Sequence, residues 1–265
     1  MSVFTNYSAL IFDIGDVLFS WSPHTKTTIS PRTLQKILST PTWFEYECGR
    51  ISQDVCYERI GSQFFIAPDE VERAFNDARD SLQCNEEMIS LIRELKIQSP
   101  TLRVFAMSNI SIPDYQYLLT KPADWSIFDH IFTSGEAGDR KPNLGFYKQV
   151  ITNTGIDPSN AIFVDDKPEN ILSARSLGFC GIVFDNAKNV SRSLRNLVGD
   201  PVKRGREYLR TKAGSHNSVT DGNITIQENF AQLLILELMG DRCVSCQFFT
   251  FHLSHGVIQK PRPPS

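Results

Sequence analysis

Two acidic pairs stand directly after short apolar runs: Asp13 and Asp16 follow Ala9-Leu10-Ile11-Phe12, and Asp165-Asp166 follow Ala161-Ile162-Phe163-Val164. An apolar run ending on an acid reads as a buried parallel strand that delivers a carboxylate to the rim of a sheet, where ligands of open α/β proteins bind. A single Asp/Gly segment after a strand is an ordinary turn; two strand ends bearing acids build an oxygen-rich pocket suited to a hard cation such as Mg²⁺. Ser108-Asn109 follows a third apolar run, and Lys141 lies in Gly138-Asp139-Arg140-Lys141-Pro142. In chain order these are the parts needed for phosphoryl transfer through an aspartyl-phosphate. A carboxylate attacks phosphorus only when the charges of both are offset, which a divalent cation and a lysine do. Ser108 and nearby backbone N–H groups are suited to holding the phosphoryl oxygens.

The elements that must position these residues alternate between apolar runs and helical patterns, as in a Rossmann-like α/β fold with a parallel sheet. Strands are expected at Ala9 to Asp13, Leu102 to Met107, His130 to Thr133, Ile162 to Asp165 and Gly181 to Phe184. Helices fit Glu86 to Gln98, Pro113 to Leu119, Leu144 to Thr154 and Pro168 to Leu177, the last opening on proline and closing near Gly178. The gap between the first two strands is too long for a plain crossover. Its centre, Thr33 to Arg79, has helical spacing and little strand character, and is read as an insert over the strand ends, either a lid or a stabilising subdomain. The expected division is a core at 1–20 and 85–190, a helical cap at 21–84, a C-terminal helical extension at 191–240 and a disordered tail at 241–265. Gly214 to Gly222 reads as a linker and Ile224 to Met239 as a helix.

Composition narrows the classes further. A net charge of -3 disfavours nucleic acid and anionic membranes as partners. The six cysteines form no disulfide framework and the start lacks a signal-peptide pattern, so a reducing cytoplasm is the expected compartment. The most apolar stretch, Phe230 to Met239, is too short to span a bilayer. From Lys188 to Lys212, eight basic residues face only Asp200 and Glu207, either as a solvated helix face or as a surface that steers an anionic substrate. Cys243, Cys246, His252 and His255 lack zinc-finger spacing. Gly-rich nucleotide loops and a Gly-x-Ser-x-Gly turn are absent.

From Ala9 to Phe184 the chain resembles the haloacid dehalogenase (HAD)-like hydrolases, in the branch with a small helical cap. Phe12-Asp13-Ile14-Gly15-Asp16-Val17-Leu18 is similar to the family's first motif and Met107-Ser108-Asn109 to the second. Arg140-Lys141-Pro142 is similar to the third, and Phe163-Val164-Asp165-Asp166-Lys167-Pro168-Glu169-Asn170 to the fourth. Glu47-Cys48-Gly49-Arg50-Ile51-Ser52 resembles the glycine-centred helix break of the cap. The resemblance implies that Asp13 is the nucleophile, that Ser108 and Asn109 bind phosphate, and that Lys141 bridges phosphate and nucleophile. It also implies Mg²⁺ held by Asp13, the Gly15 carbonyl and Asp166, with Asp165 assisting through water.

Gly15 departs from that pattern, because the family's phosphatases usually carry there a second aspartate that acts as general acid and base. Such help is worth about 10²–10⁴ in rate, and its loss weighs most on alkoxide-like leaving groups. Gly15 therefore fits a diphosphate-cleaving enzyme, a slow monoesterase using Asp16, or a silent domain that has kept the fold. A second resemblance, from Leu197 to Glu237, is to fungal HAD-like sesquiterpene cyclases, whose relatives include phosphatases of drimane terpenoid pathways. Their Asp-x-Asp-Thr-Thr motif does not occur here. The expected activity is hydrolysis of a terpenoid diphosphate or monophosphate. The alternatives are a silent scaffold, a fragment of a cyclase, and a phosphatase of a sugar phosphate or another small phosphomonoester.

Overall fold

The computed structural model describes residues 7–22 and 25–198. The expected linker, the helix at Ile224 to Met239, the tail and its Cys/His residues lie outside these, as does most of the expected C-terminal extension.

Five parallel strands form the central sheet: β1 (Ala9–Phe12), β4 (Arg103–Ser108), β5 (His130–Thr133), β6 (Ala161–Asp165) and β7 (Cys180–Val183), ordered β5-β4-β1-β6-β7. β1 is central because it is apolar on both faces and fully buried. The chain fills the β4 side of β1 first and then crosses to the β6 side, so the strand order reverses beside β1. That reversal leaves a crevice at the carboxyl ends of the strands, where Asp13, Ser108 and Asp165 fall.

Alternation along each strand sends side chains into two separate cores. Leu10, Phe12, Val104, Ala106, Ile162 and Val164 pack with α5 (Glu86–Gln98) and α10 (Ala187–Val198). Ala9, Ile11, Phe105, Met107, Ala161 and Phe163 pack on the other face with α8 (Leu144–Thr154) and α9 (Pro168–Ser176). The helix bounds follow local chemistry. Asn85 caps α5 by accepting from Met88 N–H, Pro168 opens α9, and α8 ends at Gly155, whose φ is 64°. α10 begins before the expected boundary at 190 and buries Val190, Leu194 and Val198 in the core. Its basic Arg195 pairs with Glu94 of α5 at 2.7 Å on an exposed face.

The insert is helical: α1 (Pro31–Leu38), α2 (Pro41–Glu47), α3 (Gln53–Phe64) and α4 (Pro68–Asp80). Ser30, Thr40 and Ser52 cap the first three through their hydroxyls, and proline opens α1, α2 and α4. The four helices bury their own core, with Trp43 stacked on Phe75 at 4.4 Å between ring centroids. The chain enters and leaves the insert through an antiparallel pair, β2 (Phe19–Trp21) and β3 (Leu82–Cys84), which the sequence pattern does not announce. Two more helices, α6 (Ile112–Leu118) after β4 and α7 (Ser134–Ala137) after β5, lie at the end of the sheet that faces the insert.

Candidate active site

The sheet register brings the predicted residues together. The Asp13 N–H donates to the Val164 carbonyl at 2.8 Å, which continues the β1–β6 ladder by one residue and sets the Asp13 carboxylate at the rim. Ser108 is the buried last residue of β4, and Asp165 is the fully buried last residue of β6. Lys141 reaches between them from the loop ahead of α8. Its side chain is 1% exposed; its ammonium donates to the Met107 carbonyl at 2.8 Å and to Asp165 Oδ2 at 2.7 Å, and pairs with Asp13 Oδ1 at 2.8 Å. An ammonium has three donors, and these partners use them all.

Asp165 is held as firmly as the lysine it holds. Its carboxylate accepts from the Lys167 N–H at 2.8 Å and from Asn170 Nδ2 at 2.9 and 3.1 Å, besides Lys141. Asn170 is in turn fixed through its carbonyl by the Tyr147 hydroxyl at 2.9 Å. Asp166 is less enclosed and pairs with Lys167 Nζ at 2.5 Å. One carboxylate oxygen from each of Asp13, Asp165 and Asp166 lies within 4.8 Å of the others, a hard-oxygen cluster that fits a magnesium ion. The oxygens of Asp165 are already engaged by Lys141, Lys167 and Asn170, so Asp13 and Asp166 are the acids better able to bind such an ion directly.

Burial pushes the Asp13 carboxyl up to about 7; the Lys141 ammonium opposes this, while Asp165 and Asp166 add to it. For Lys141, burial favours the neutral form but is outweighed by Asp13 and Asp165, so its pKa rises and it stays charged. Asp16 is also raised, by partial desolvation and by Asp166, with Lys167 pulling the other way.

The loop after β1 explains what glycine does at position 15. Asp16, not Gly15, adopts the left-handed conformation, with φ 57°, and its N–H donates to the Phe19 carbonyl at 2.7 Å. A Cβ built on Gly15 meets nothing within 4 Å, so neither backbone nor packing requires glycine there. Asp16 is exposed and lies in the field of Asp166 and Lys167.

Asn109 carries a contact that the motif does not suggest. Its amide oxygen accepts from the Lys141 N–H at 2.8 Å and its amide nitrogen donates to the Lys141 carbonyl at 2.9 Å. The cap is tied to the same loop. Glu47, at the end of α2, pairs with Arg140 at 2.9 Å and accepts from Trp43 Nε1 at 3.0 Å, while the Arg140 guanidinium lies 3.8 Å from the Phe44 ring centre. The Glu47 carbonyl accepts from Ser134 Oγ at 2.6 Å. Gly49, with φ 67°, passes so close to Gly135 that a Cβ on it would sit 2.9 Å from the Gly135 carbonyl oxygen.

A carboxylate on the central strand, a buried lysine from a later loop and two acids on the neighbouring strand, beneath a helical insert, define a hydrolase of the HAD type. Residues 7–178 match the model of the haloacid dehalogenase-like hydrolases, and the chain belongs to that family. Residues 202–252 match the sesquiterpene cyclase astC-like C-terminal domain. The drimenol cyclase of Aspergillus calidoustus is 41% identical over 234 residues, which are 88% of this chain and 44% of the cyclase, so the chain spans less than half of that relative. The sesquiterpene phosphatase of Aspergillus oryzae is 38% identical over 195 residues, 74% of this chain and 98% of the phosphatase. A HAD family enzyme of Bacteroides thetaiotaomicron, solved with magnesium and inorganic phosphate, shares the fold with a TM-score of 0.53 and 18% identity over 66% of this chain and 93% of its own.

Proposed function

We propose that the chain is a magnesium-dependent phosphatase that acts through an aspartyl-phosphate on a terpenoid diphosphate or the corresponding monophosphate. The observation that carries this reading is the Asp13–Lys141 pair, 2.8 Å apart and buried at the rim of the sheet, beside the acids of β6. The match to the sesquiterpene phosphatase over nearly its whole length supports the substrate class. Magnesium would be held by Asp13, Asp166 and the Gly15 carbonyl, and would supply positive charge next to the phosphoryl oxygens.

In this mechanism Asp13 attacks the terminal phosphorus. Lys141, held charged between Asp13 and Asp165, offsets the charge that develops on the phosphoryl oxygens. Ser108, at the end of β4, and Asn109 complete the phosphate site, Asn109 in part by fixing the main chain of Lys141. Water then hydrolyses the aspartyl-phosphate, with Asp16 as the candidate to activate it. Its raised pKa suits a group that exchanges a proton. A reducing compartment agrees with Cys48, Cys56 and Cys84 being thiols, and among the described residues no helix is long and apolar enough to cross a membrane.

The test is a screen of phosphate release from sugar phosphates, simple phosphomonoesters and prenyl diphosphates, with and without Mg²⁺. Magnesium-dependent release from a prenyl diphosphate is the expected result. Preference for a sugar phosphate would overturn the substrate class, and no release from any substrate would favour a silent domain.

A further inference from the structure

We propose that Lys167 binds the leaving phosphate of a diphosphate substrate and so replaces, by charge, the acid that Gly15 does not provide; this rests on the diphosphate reading above. The two lysines of the site stand at different depths. Lys141 is on the floor, 1% exposed, with every donor used by Met107, Asp13 and Asp165. The Lys167 side chain is 54% exposed, and Asp166 Oδ2 engages its ammonium at 2.5 Å. Its backbone is nevertheless fixed, because its N–H donates to Asp165 Oδ1 at 2.8 Å and Pro168 begins α9 immediately after it. The result is a solvent-exposed cation on a fixed stem, at the open side of the acidic cluster. Its partner Asp166 is one of the three carboxylates whose oxygens lie within 4.8 Å of one another, which places the ammonium at the edge of that cluster.

In-line displacement puts the entering and leaving oxygens on opposite sides of phosphorus. Asp13 enters from the buried rim, so the leaving oxygen points toward the open side, where Lys167 lies. As the bond from the Asp13 carboxylate to the terminal phosphorus forms, the bridging P–O bond breaks. Its electron pair becomes negative charge on the departing organic monophosphate, and no proton is required. An ammonium that hydrogen-bonds this phosphate offsets the charge directly. A phosphomonoester offers no second phosphate to hold. Lys167 is therefore a specificity residue, favouring diphosphates over monoesters. A cation bound by Asp166 would compete with Lys167 for that carboxylate and turn its ammonium toward the substrate.

The experiment compares Lys167→Met and Lys167→Arg, each in an Asp13→Asn background that does no chemistry. Titration calorimetry with Mg²⁺ measures the binding of inorganic pyrophosphate and orthophosphate. Lys167→Met is expected to weaken pyrophosphate by about 10- to 100-fold, the range for one charge-assisted hydrogen bond, and orthophosphate much less. Lys167→Arg is expected to keep the pyrophosphate preference. In the active background, the ratio of kcat/KM for a sesquiterpenoid diphosphate over its monophosphate should fall by a similar factor in Lys167→Met. Equal weakening of the two anions, or an undiminished pyrophosphate preference, would overturn the assignment. Because the calorimetry needs no turnover, absence of phosphate release in the parent enzyme would count against the proposed function, whereas loss of the Lys167 effect counts against this inference alone.

Discussion

Asn109 and Lys141 are joined twice, side-chain amide to main-chain N–H and carbonyl, at 2.8 and 2.9 Å. A residue just beyond β4 thus sets the backbone of the lysine that a later loop supplies. Asn109→Ala should lower phosphate release by about 10²-fold through misplacement of Lys141 and cost about 1–3 kcal/mol of stability. Asn109→Asp, which keeps the acceptor but sets a carboxylate against the Lys141 carbonyl and the phosphate, should lower release at least as far. Steady-state kinetics and urea unfolding of the two variants check the order.

Replacing the proposed nucleophile separates chemistry from binding. Asp13→Asn is expected to abolish phosphate release from a prenyl diphosphate while the protein stays folded, and undiminished release would sink the aspartyl-phosphate route. Asp16→Asn should slow the reaction; a normal rate would remove Asp16 from the mechanism.

Gly15→Asp tests the missing acid from the other direction. The position is open around a built Cβ and lies outside the left-handed region, so the variant should fold with little change in melting temperature. Gaining a general acid is worth up to about 10²-fold or more, and monoester hydrolysis should rise more than diphosphate hydrolysis. A rise confined to the diphosphate would show that leaving-group protonation is not what Gly15 forgoes.

Asp165 has a structural part that can be measured apart from any role in catalysis. Asp165→Ala takes from Lys141 one of its two carboxylates and from Asn170 Nδ2 its acceptor, and leaving such buried donors short of a partner costs about 1–3 kcal/mol. The double variant Asp165→Ala with Lys141→Met should recover much of that stability and none of the activity, as denaturant unfolding would show.

Glu47 makes stability depend on pH. Its ordinary pKa of 4.5 is pushed up to about 7 by burial, with Arg140 and Trp43 opposing the rise. Between those values the folded state binds a proton that the unfolded chain has lost, so the contribution is fully present below about pH 4.5 and is lost as pH rises through about 7. Glu47→Gln should therefore gain stability relative to the parent as pH rises across that window. Urea unfolding of both proteins over the window measures it; a constant difference rejects the shift.

The sheet and the long core helices were legible because each has local chemistry that marks it. The expected bounds of Glu86 to Gln98 and Leu144 to Thr154 coincide with α5 and α8, which Asn85 and Gly155 delimit. β2 and β3 were not legible. Each has three residues, and Phe19 meets Cys84 only because the whole insert folds between them. The residues of the candidate site were legible by type and order, since acids at strand ends and a lysine in the loop before a helix stand out in sequence. The way they are held was not. Glu47 and Arg140 are ordinary charged residues in the sequence, and their pairing across 93 positions needs the cap in place. Asn109 stood out as a residue of the second motif, but its double link to the Lys141 backbone did not. Asn170 lies inside the fourth motif, yet only the fold aims its amide at Asp165.

The ribbon of β2 and β3 has an engineering consequence. Trp21 and Leu82 are cross-strand partners, so the whole helical insert leaves and rejoins the core at a single point. A short turn grafted between them would turn the ribbon into a hairpin and excise the insert without cutting any strand of the central sheet. The exposed scar would include Arg140, stripped of Glu47 and the Phe44 ring, Ser134, stripped of the Glu47 carbonyl, and Asp114, stripped of Arg79. The same junction would accept a foreign insert of another shape, which makes the sheet with its acidic cluster and the helical insert separately transplantable parts.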